Sequence, residues 1–321
     1  LRAGSWVVVD EVQRIPSLLN EVHRLIEGRR LRFALLGSSA RKLKTAGTNL
    51  LAGRAVKRQL FPFTPEELEA EFNLNEALQH GTIPLIWAAP DRRSALEAYA
   101  QLYLREEIRA EALVKNLPGF VRFLPIAALF HGQTINISAI ARDCGVARTT
   151  VQGYLEILDD TLVTTQLPAF EARLRVRERK HPKLFWVDPG LMRAVKKQLG
   201  PVTAEERGAL FEGWILHLLR AQTEVSRQYE DIHYWAPAQA ARTEVDFLLR
   251  RGRELLAIEV KAASRFQKDM LTGLRAIGDL RGVVRRLLVY TGNRSLTLDD
   301  GIDVWPHERF VAALAKDALW P

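Results

Sequence analysis

The chain has 321 residues, 47% of them hydrophobic and 26% charged, the balance of an ordinary globular protein with a sizeable core and, at about 150 residues per domain, roughly two domains. A single cysteine, Cys144, excludes an internal disulfide framework and a cysteine-built zinc site, and no apolar run approaches the ~18 residues that span a bilayer, so the expected location is the cytoplasm, with no membrane partner. The 46 Lys and Arg against 38 Asp and Glu leave a net charge of +8, which admits a polyanionic partner without requiring one.

Trp6–Val9 is an unbroken apolar run ending in Asp10 and Glu11, and residues 33–36 form a second one ending in Gly37, Ser38 and Ser39. Continuous apolar runs predict strands buried on both faces of a parallel sheet. Residues 17–26 read as a helix, so the segment is a strand–helix–strand crossover of an open α/β sheet. A strand five residues after Leu1 has no earlier strand to pair with, and the expectation is a sheet cut through at its start, with an exposed edge. Thr64 is placed to cap a helix whose first turn holds Pro65, Glu66 and Glu67. Residues 92–130 are helical in pattern, with an interruption at Pro118-Gly119. A short helix over 138–146, closed by Gly145, a second helix over 149–159 and a strand over 162–167 follow. The stretch 171–183 carries six basic residues (Arg173, Arg175, Arg177, Arg179, Lys180 and Lys183) against two acidic ones, Glu171 and Glu178. Beyond it, a helix over 205–222 is followed by strands at 232–235, 243–249, 255–261 and 286–290.

An acidic residue at the carboxyl end of a buried strand can hold the Mg²⁺ of a nucleotide, and a following Glu can polarise the attacking water. Asp10 and Glu11 stand in that position, because the crevice of an open α/β sheet lies beyond the strand ends. Ser38 and Ser39 end the neighbouring strand, where a residue sensing the terminal phosphate would sit. The competing reading of Asp10 is a plain helix cap. The phosphate-cradling G-x-x-x-x-G-K-[ST] occurs nowhere in the 321 residues, so this chain is not expected to bind ATP by the usual route.

Residues 137–168 have the spacing of a helix-turn-helix with Gly145 in the turn. Arg148, Thr149, Thr150 and Gln152 fall at the exposed start of its second helix, and a strand pair forms a wing. Such side chains contact phosphates and base edges; alternatively the module packs against its neighbours and touches no DNA. The basic stretch adds positive charge beside it, or is the solvated face of a wing strand.

Asp246 lies on the strand over 243–249, and Glu259 and Lys261 lie on the strand over 255–261, where the side-chain period of two puts both on one face. A hairpin can bring Asp246 and Glu259 together. Two carboxylates and a lysine suit magnesium-dependent phosphodiester hydrolysis, with the carboxylates on the metal and the lysine orienting water and stabilising charge. Glu212, on the preceding helix, is a further candidate ligand. A surface ion pair is the competing reading. The seven histidines show no metal-binding spacing, and His217 reads as a helix residue near the core.

In order along the chain, Val7-Val8-Val9-Asp10-Glu11, Leu36-Gly37-Ser38-Ser39, Leu51-Ala52-Gly53-Arg54, Pro182-Lys183-Leu184-Phe185-Trp186-Val187-Asp188-Pro189-Gly190, Phe211-Glu212-Gly213-Trp214 and Glu244-Val245-Asp246 with Ile258-Glu259-Val260-Lys261 form a recognisable set. The sequence resembles the AAA-superfamily P-loop ATPases of bacteria and archaea whose C-terminal half combines a winged helix with a restriction-endonuclease-like module. The resemblance implies ATP and Mg²⁺ in the full-length protein, with metal and water roles for Asp10 and Glu11, phosphate sensing by Ser38 or Ser39, and Arg54 as a charge-stabilising arginine. It makes Asp246, Glu259 and Lys261 a nuclease-like triad, with Mg²⁺ there and Glu212 upstream. The family's phosphate loop would precede Leu1, so the expectation is a truncated chain inactive as an ATPase.

The expected fold class is α/β. Residues 1–75 form the rear of a P-loop ATPase parallel sheet, 76–133 a helical connector, 134–183 a winged helix-turn-helix and 184–321 a restriction-endonuclease-like α/β domain. The expected function is ATP-dependent work on a nucleic acid or a protein partner. Its rivals are a Mg²⁺-dependent nuclease and a non-enzymatic DNA-binding or interaction module.

Overall fold

The computed structural model describes residues 1–37, 54–103, 116–171, 181–237 and 243–321. The architecture is mixed α/β, with parallel and antiparallel strand pairs. At the front, β1 (Trp6–Val9) lies parallel to β2 (Arg32–Leu35), with Trp6 opposite Arg32, and α1 (Leu18–Arg29) joins them. The crossover is therefore as the apolar runs predict, but burial on both faces is not. Trp6 is 63% and Val8 65% exposed, while Val12, Leu19, Val22 and Leu31 are buried. Alternate side chains of β1 face opposite sides, and among the described residues only one of those sides is covered.

Short helices follow: α2 (Pro65–Leu68), α3 (Leu74–His80), α4 (Pro84–Trp87) and α5 (Arg92–Ala98). The Thr64 cap forms as expected, with its backbone N–H and hydroxyl donating to the Glu67 carboxylate at 2.8 and 3.0 Å. Helix α6 (Leu117–Leu129) has Pro118 in its first turn, where the missing N–H costs nothing. Pro118-Gly119 thus opens a helix and does not interrupt one. Residues 104–115, the middle of the stretch expected to be helical, lie outside the described residues.

Next come β3 (Gln133–Thr134), α7 (Ile137–Cys144), α8 (Arg148–Asp160), β4 (Thr164–Leu167) and β5 (Lys183–Trp186). Gly145 takes φ 65 in the turn between the two helices, a conformation glycine adopts without steric cost. The three strands form an antiparallel sheet in the order β3-β5-β4. The boundary expected at 183/184 consequently falls inside a strand.

After α9 (Pro189–Val195) and the long α10 (Ala204–Ser226), a six-stranded sheet is built from β6 (Asp231–Trp235), β7 (Val245–Arg251), β8 (Glu254–Lys261), β9 (Val283–Tyr290), β10 (Leu296–Thr297) and β11 (Ile302–Pro306). Its order is β10-β11-β9-β8-β7-β6, with β8, β9 and β11 parallel. Helix α11 (Thr272–Ala276) precedes β9 and α12 (His307–Ala315) follows β11. The period of two divides the strands cleanly. Phe247, Leu249, Ile258 and Val289 join Phe211 and Trp214 of α10 in a core that runs from Leu78 to Trp320, whereas Leu248, Ala257 and Leu288 pack with Leu271 and Leu274 on the α11 face. Among the described residues no helix is long and apolar enough to cross a membrane.

Candidate functional site

Strands β7 and β8 pair with Phe247 opposite Ile258, and one step further along the same antiparallel register Asp246 stands across from Glu259. There the ladder opens, and Asp246 Oδ2 accepts from the Val260 N–H at 2.8 Å. Both carboxyl groups are buried. Glu259 Oε1 accepts from Lys261 Nζ at 2.5 Å, while Oε2 is buried with no hydrogen-bond partner among the described residues. A Cβ on Gly273 of α11 would fall 1.9 Å from Glu244 O and 3.3 Å from Glu259 Oε2, so glycine is what lets that helix close over the site.

Glu212 enters from α10, and the sixth member of the cluster comes from another sheet. Lys183, on β5, is 3% exposed and places Nζ 3.3 Å from Glu212, 3.1 Å from Glu244 and 3.9 Å from Asp246. This corrects its expected place in a solvated basic stretch. It opens the fully buried run Lys183–Trp186, and that apolar flank was the signal of burial. Residues 172–180, with the other basic side chains of the stretch, lie outside the described residues.

Four carboxyl groups and two amines give 2 − 4 = −2 in formal charge when all are ionised. The interior resists this. Burial, then repulsion from Asp246, pushes Glu212 up to about 8 against the pull of Lys183. Burial and Asp246 likewise push Glu259 up to about 8 against Lys261. Burial works against the charge on Lys183, but Glu212, Asp246 and Glu244 together hold it above its ordinary value; Lys261 is raised over the same opposition, by Asp246 and Glu259 foremost. Among the described residues no three His, Cys, Asp or Glu side chains form a ready-made metal cage. Mg²⁺, however, commonly takes only one or two carboxylates and completes its shell with water and phosphate oxygens. The partnerless Glu259 Oε2 and the oxygen-only donor set fit a hard divalent cation, which would take the place of the protons that burial favours on the two glutamates.

The other predicted residues lie elsewhere. Asp10 and Glu11 end β1 beside Leu36, whose carbonyl accepts from the Val12 N–H at 3.0 Å. The Glu11 N–H donates to Asp10 Oδ1 at 2.9 Å, and the Glu11 carboxylate accepts from Gln13 Nε2 at 3.0 Å and pairs with Arg14 at 3.3 Å. Glu11 holds φ 51, an unfavourable conformation for a residue with a side chain. Ser38 and Ser39 lie outside the described residues. Arg54 is not brought to Asp10 and Glu11; it pairs with Glu27 of α1 at 2.7 Å. Arg148, Thr149 and Gln152 are exposed in the first turns of α8, Thr150 is half-buried beside them, and among the described residues no hydrogen bond or ion pair joins any of the four to the carboxylate cluster.

Residues 1–69 match a family profile described as an AAA domain, and residues 71–201 and 207–310 match two profiles described as domains of unknown function, DUF8612 and DUF4143. Uncharacterized proteins of Mycobacterium bovis and Mycobacterium tuberculosis are each 27% identical over 322 residues, covering 98% of this chain and 71% of theirs. A crystal structure of a Vibrio cholerae protein is 14% identical, covers 98% of this chain and 90% of its own, and superposes with a TM-score of 0.29. Can2 from Sulfobacillus thermosulfidooxidans, solved with cyclic tetra-adenylate, is 11% identical over the same shares, with a TM-score of 0.27. Scores this low carry no structural argument. The profile matches support an AAA-type ATPase-like family, which in general uses nucleotide and Mg²⁺.

Proposed function

We propose that this AAA-type ATPase-like protein works on nucleic acid and that its C-terminal sheet is a divalent-cation-dependent phosphodiester hydrolase. The observation that carries this reading is the meeting of Asp246, Glu259 and Lys261 where the β7–β8 ladder opens, with Glu212 above them. Asp246 and Glu259 would hold Mg²⁺, which when bound neutralises phosphate charge and acidifies water. Lys261, fixed by Glu259, holds a positive charge beside the scissile phosphate and orients water. Closure of Gly273 over Glu259 keeps solvent from that carboxyl group.

In the same reading, within a full-length protein that supplies the phosphate loop, Asp10 and Glu11 serve the nucleotide's Mg²⁺ and water, Ser38 or Ser39 senses phosphate, and Arg54 must leave Glu27 to stabilise charge. Residues α6 to β5 form a winged helix that meets DNA through Arg148, Thr149, Thr150 and Gln152. Its sheet then passes Lys183 to the hydrolytic site.

The test is nicking of supercoiled plasmid in Mg²⁺ or Mn²⁺. Asp246→Asn keeps an oxygen for the Val260 N–H but loses the charge, and it should cut at least ~100-fold more slowly, as should Lys261→Ala. Undiminished cutting by Asp246→Asn, or none by the wild type in either metal, overturns the reading.

One observation favours a second reading. Lys183 Nζ lies within 3.9 Å of three carboxylates, so the cluster already contains a cation and can serve as a structural ion network in a non-enzymatic module. Under hydrolysis, Mn²⁺ raises the Tm of the wild type; under the second reading, it raises only that of Lys183→Met.

A further inference from the structure

The carboxyl ends of β8 and β9 open into a cleft of about 520 Å³ whose lining includes Ser264, Arg265, Asn293 and Arg294 beside the apolar surfaces of Phe266, Tyr290 and Leu296. Lys261 is registered with Tyr290 across the parallel pair, so this wall of the cleft lies one strand spacing, about 4.8 Å, from the strand that carries Glu259 and Lys261. The loop behind it is built, not slack. Tyr290 Oη donates to Arg294 O at 2.8 Å and accepts from the Arg294 N–H at 2.9 Å. A Cβ on Gly292 would fall 2.1 Å from the Tyr290 ring and 2.6 Å from Ser264 O, so the two walls approach this closely only through glycine.

The arginines within the strands of this sheet are engaged, whereas those of the cleft are not; among the described residues Arg253, at the β7–β8 turn, is likewise exposed and unpaired. Arg250, Arg251, Arg275 and Arg285 each pair with a carboxylate, and Arg286 donates to the carbonyls of Leu274 and Asp300. Arg265 and Arg294 are exposed, and among the described residues neither guanidinium has a hydrogen bond or an ion pair. Among the described residues no acidic side chain lines the cleft. Two free guanidinium forks, an amide and a hydroxyl around a rigid concavity match a phosphate, which arginine recognises through paired N–H donors.

We propose that this cleft is the anion subsite of the C-terminal module and that Arg265 and Arg294 hold a DNA backbone phosphate adjacent to the one presented to Lys261, an assignment that rests on the phosphodiester reading. It supplies register along the strand and no base readout.

The experiment is fluorescence anisotropy with a labelled 20-bp DNA duplex and the whole chain, without divalent metal, from ~50 to ~200 mM salt. Replacing both Arg265 and Arg294 by Ala should weaken Kd about 10- to 100-fold and make the log Kd against log salt slope shallower by roughly 1 to 2. The double variant Arg227→Ala with Arg253→Ala removes equal charge outside the cleft and should bind as the wild type does. Unchanged binding in the cleft variant, equal loss in the control, or no wild-type binding overturns the assignment. Cutting is scored separately: a wild type that binds through the cleft but never cuts leaves the subsite standing and removes hydrolysis.

Discussion

Replacing Lys183 by methionine keeps the aliphatic stem and removes the ammonium from among three carboxyl groups. At an effective dielectric of ~20, each fully charged pair at 3 to 4 Å is worth about 4 to 5 kcal/mol before desolvation. Glu244 is 46% exposed, so water screens its share, and with Glu212 still protonated at pH 6 the larger contribution there comes from Asp246. Desolvating the ammonium offsets part of the gain, and removing one member of a buried pair typically costs about 3 to 5 kcal/mol. We expect a loss of about 3 kcal/mol at pH 6, read as a Tm lower by roughly 6 °C. Glu212, up at about 8 with Lys183 beside it, is ionised at pH 9. There the variant leaves it unpaired, and the loss should grow by about 1.4 kcal/mol per pH unit above 8. Adding Glu212→Gln should restore about 1 kcal/mol or more. A Lys183→Met protein as stable as the wild type at both pH values, or a loss indifferent to pH and to Glu212→Gln, refutes this account of the cluster.

The pH dependence of stability has a definite sign. Glu212 and Glu259 have folded values near 8, above the ordinary 4.5, so their contribution is present below about 4.5 and is lost as pH rises toward 8. His131 and His217, lowered by burial to about 4, act oppositely between 6.5 and 4, and Asp188, raised by burial to about 6, follows the glutamates only up to that value. His233 and His307, also lowered chiefly by burial, act with the other two histidines, and only above about pH 7 do the glutamates outweigh all four. Stability from urea unfolding should fall from pH 7 to 8 by about 1 to 2 kcal/mol as one or both glutamates hold a proton, and Glu259→Gln should flatten the slope. A slope that rises over this window contradicts the assignment. Gly190→Ala would set a Cβ 2.0 Å from His80 O and should lower stability by about 2 kcal/mol or more. Gly208→Ala, in open space within α10, should instead raise it by up to ~1 kcal/mol; equal effects of the two would show that α9 does not pack as described.

Much of the local structure was legible because it depends on short-range chemistry. Thr64 with Glu67, Gly145 at a left-handed turn and the apolar runs of β1 and β2 signal their elements without reference to the rest of the chain. The hairpin carrying Asp246 and Glu259 was legible for the same reason: alternation and a tight turn determine which side chains can meet. Pro118 misled because a proline in a first turn and one that breaks a helix look alike until the helix start is known. Residues 302–315, with β11 and α12, gave no early signal, since a five-residue strand is set by the neighbour it pairs with.

What the sequence determined alone was the set of chemical groups, namely the acids at 212, 244, 246 and 259 and the lysines at 183 and 261, together with the strands and helices that hold most of them. The tertiary structure decided which of these meet. Lys183 belongs by sequence to a basic stretch, but β5 pairs with β4 and β3 and delivers it to carboxylates 29 and 61 residues further along the chain. Only packing takes the cluster out of water, and with it come the raised glutamates and the bare Glu259 oxygen. Burial and charge proximity over such separations are properties of the assembled core, and no local pattern encodes them.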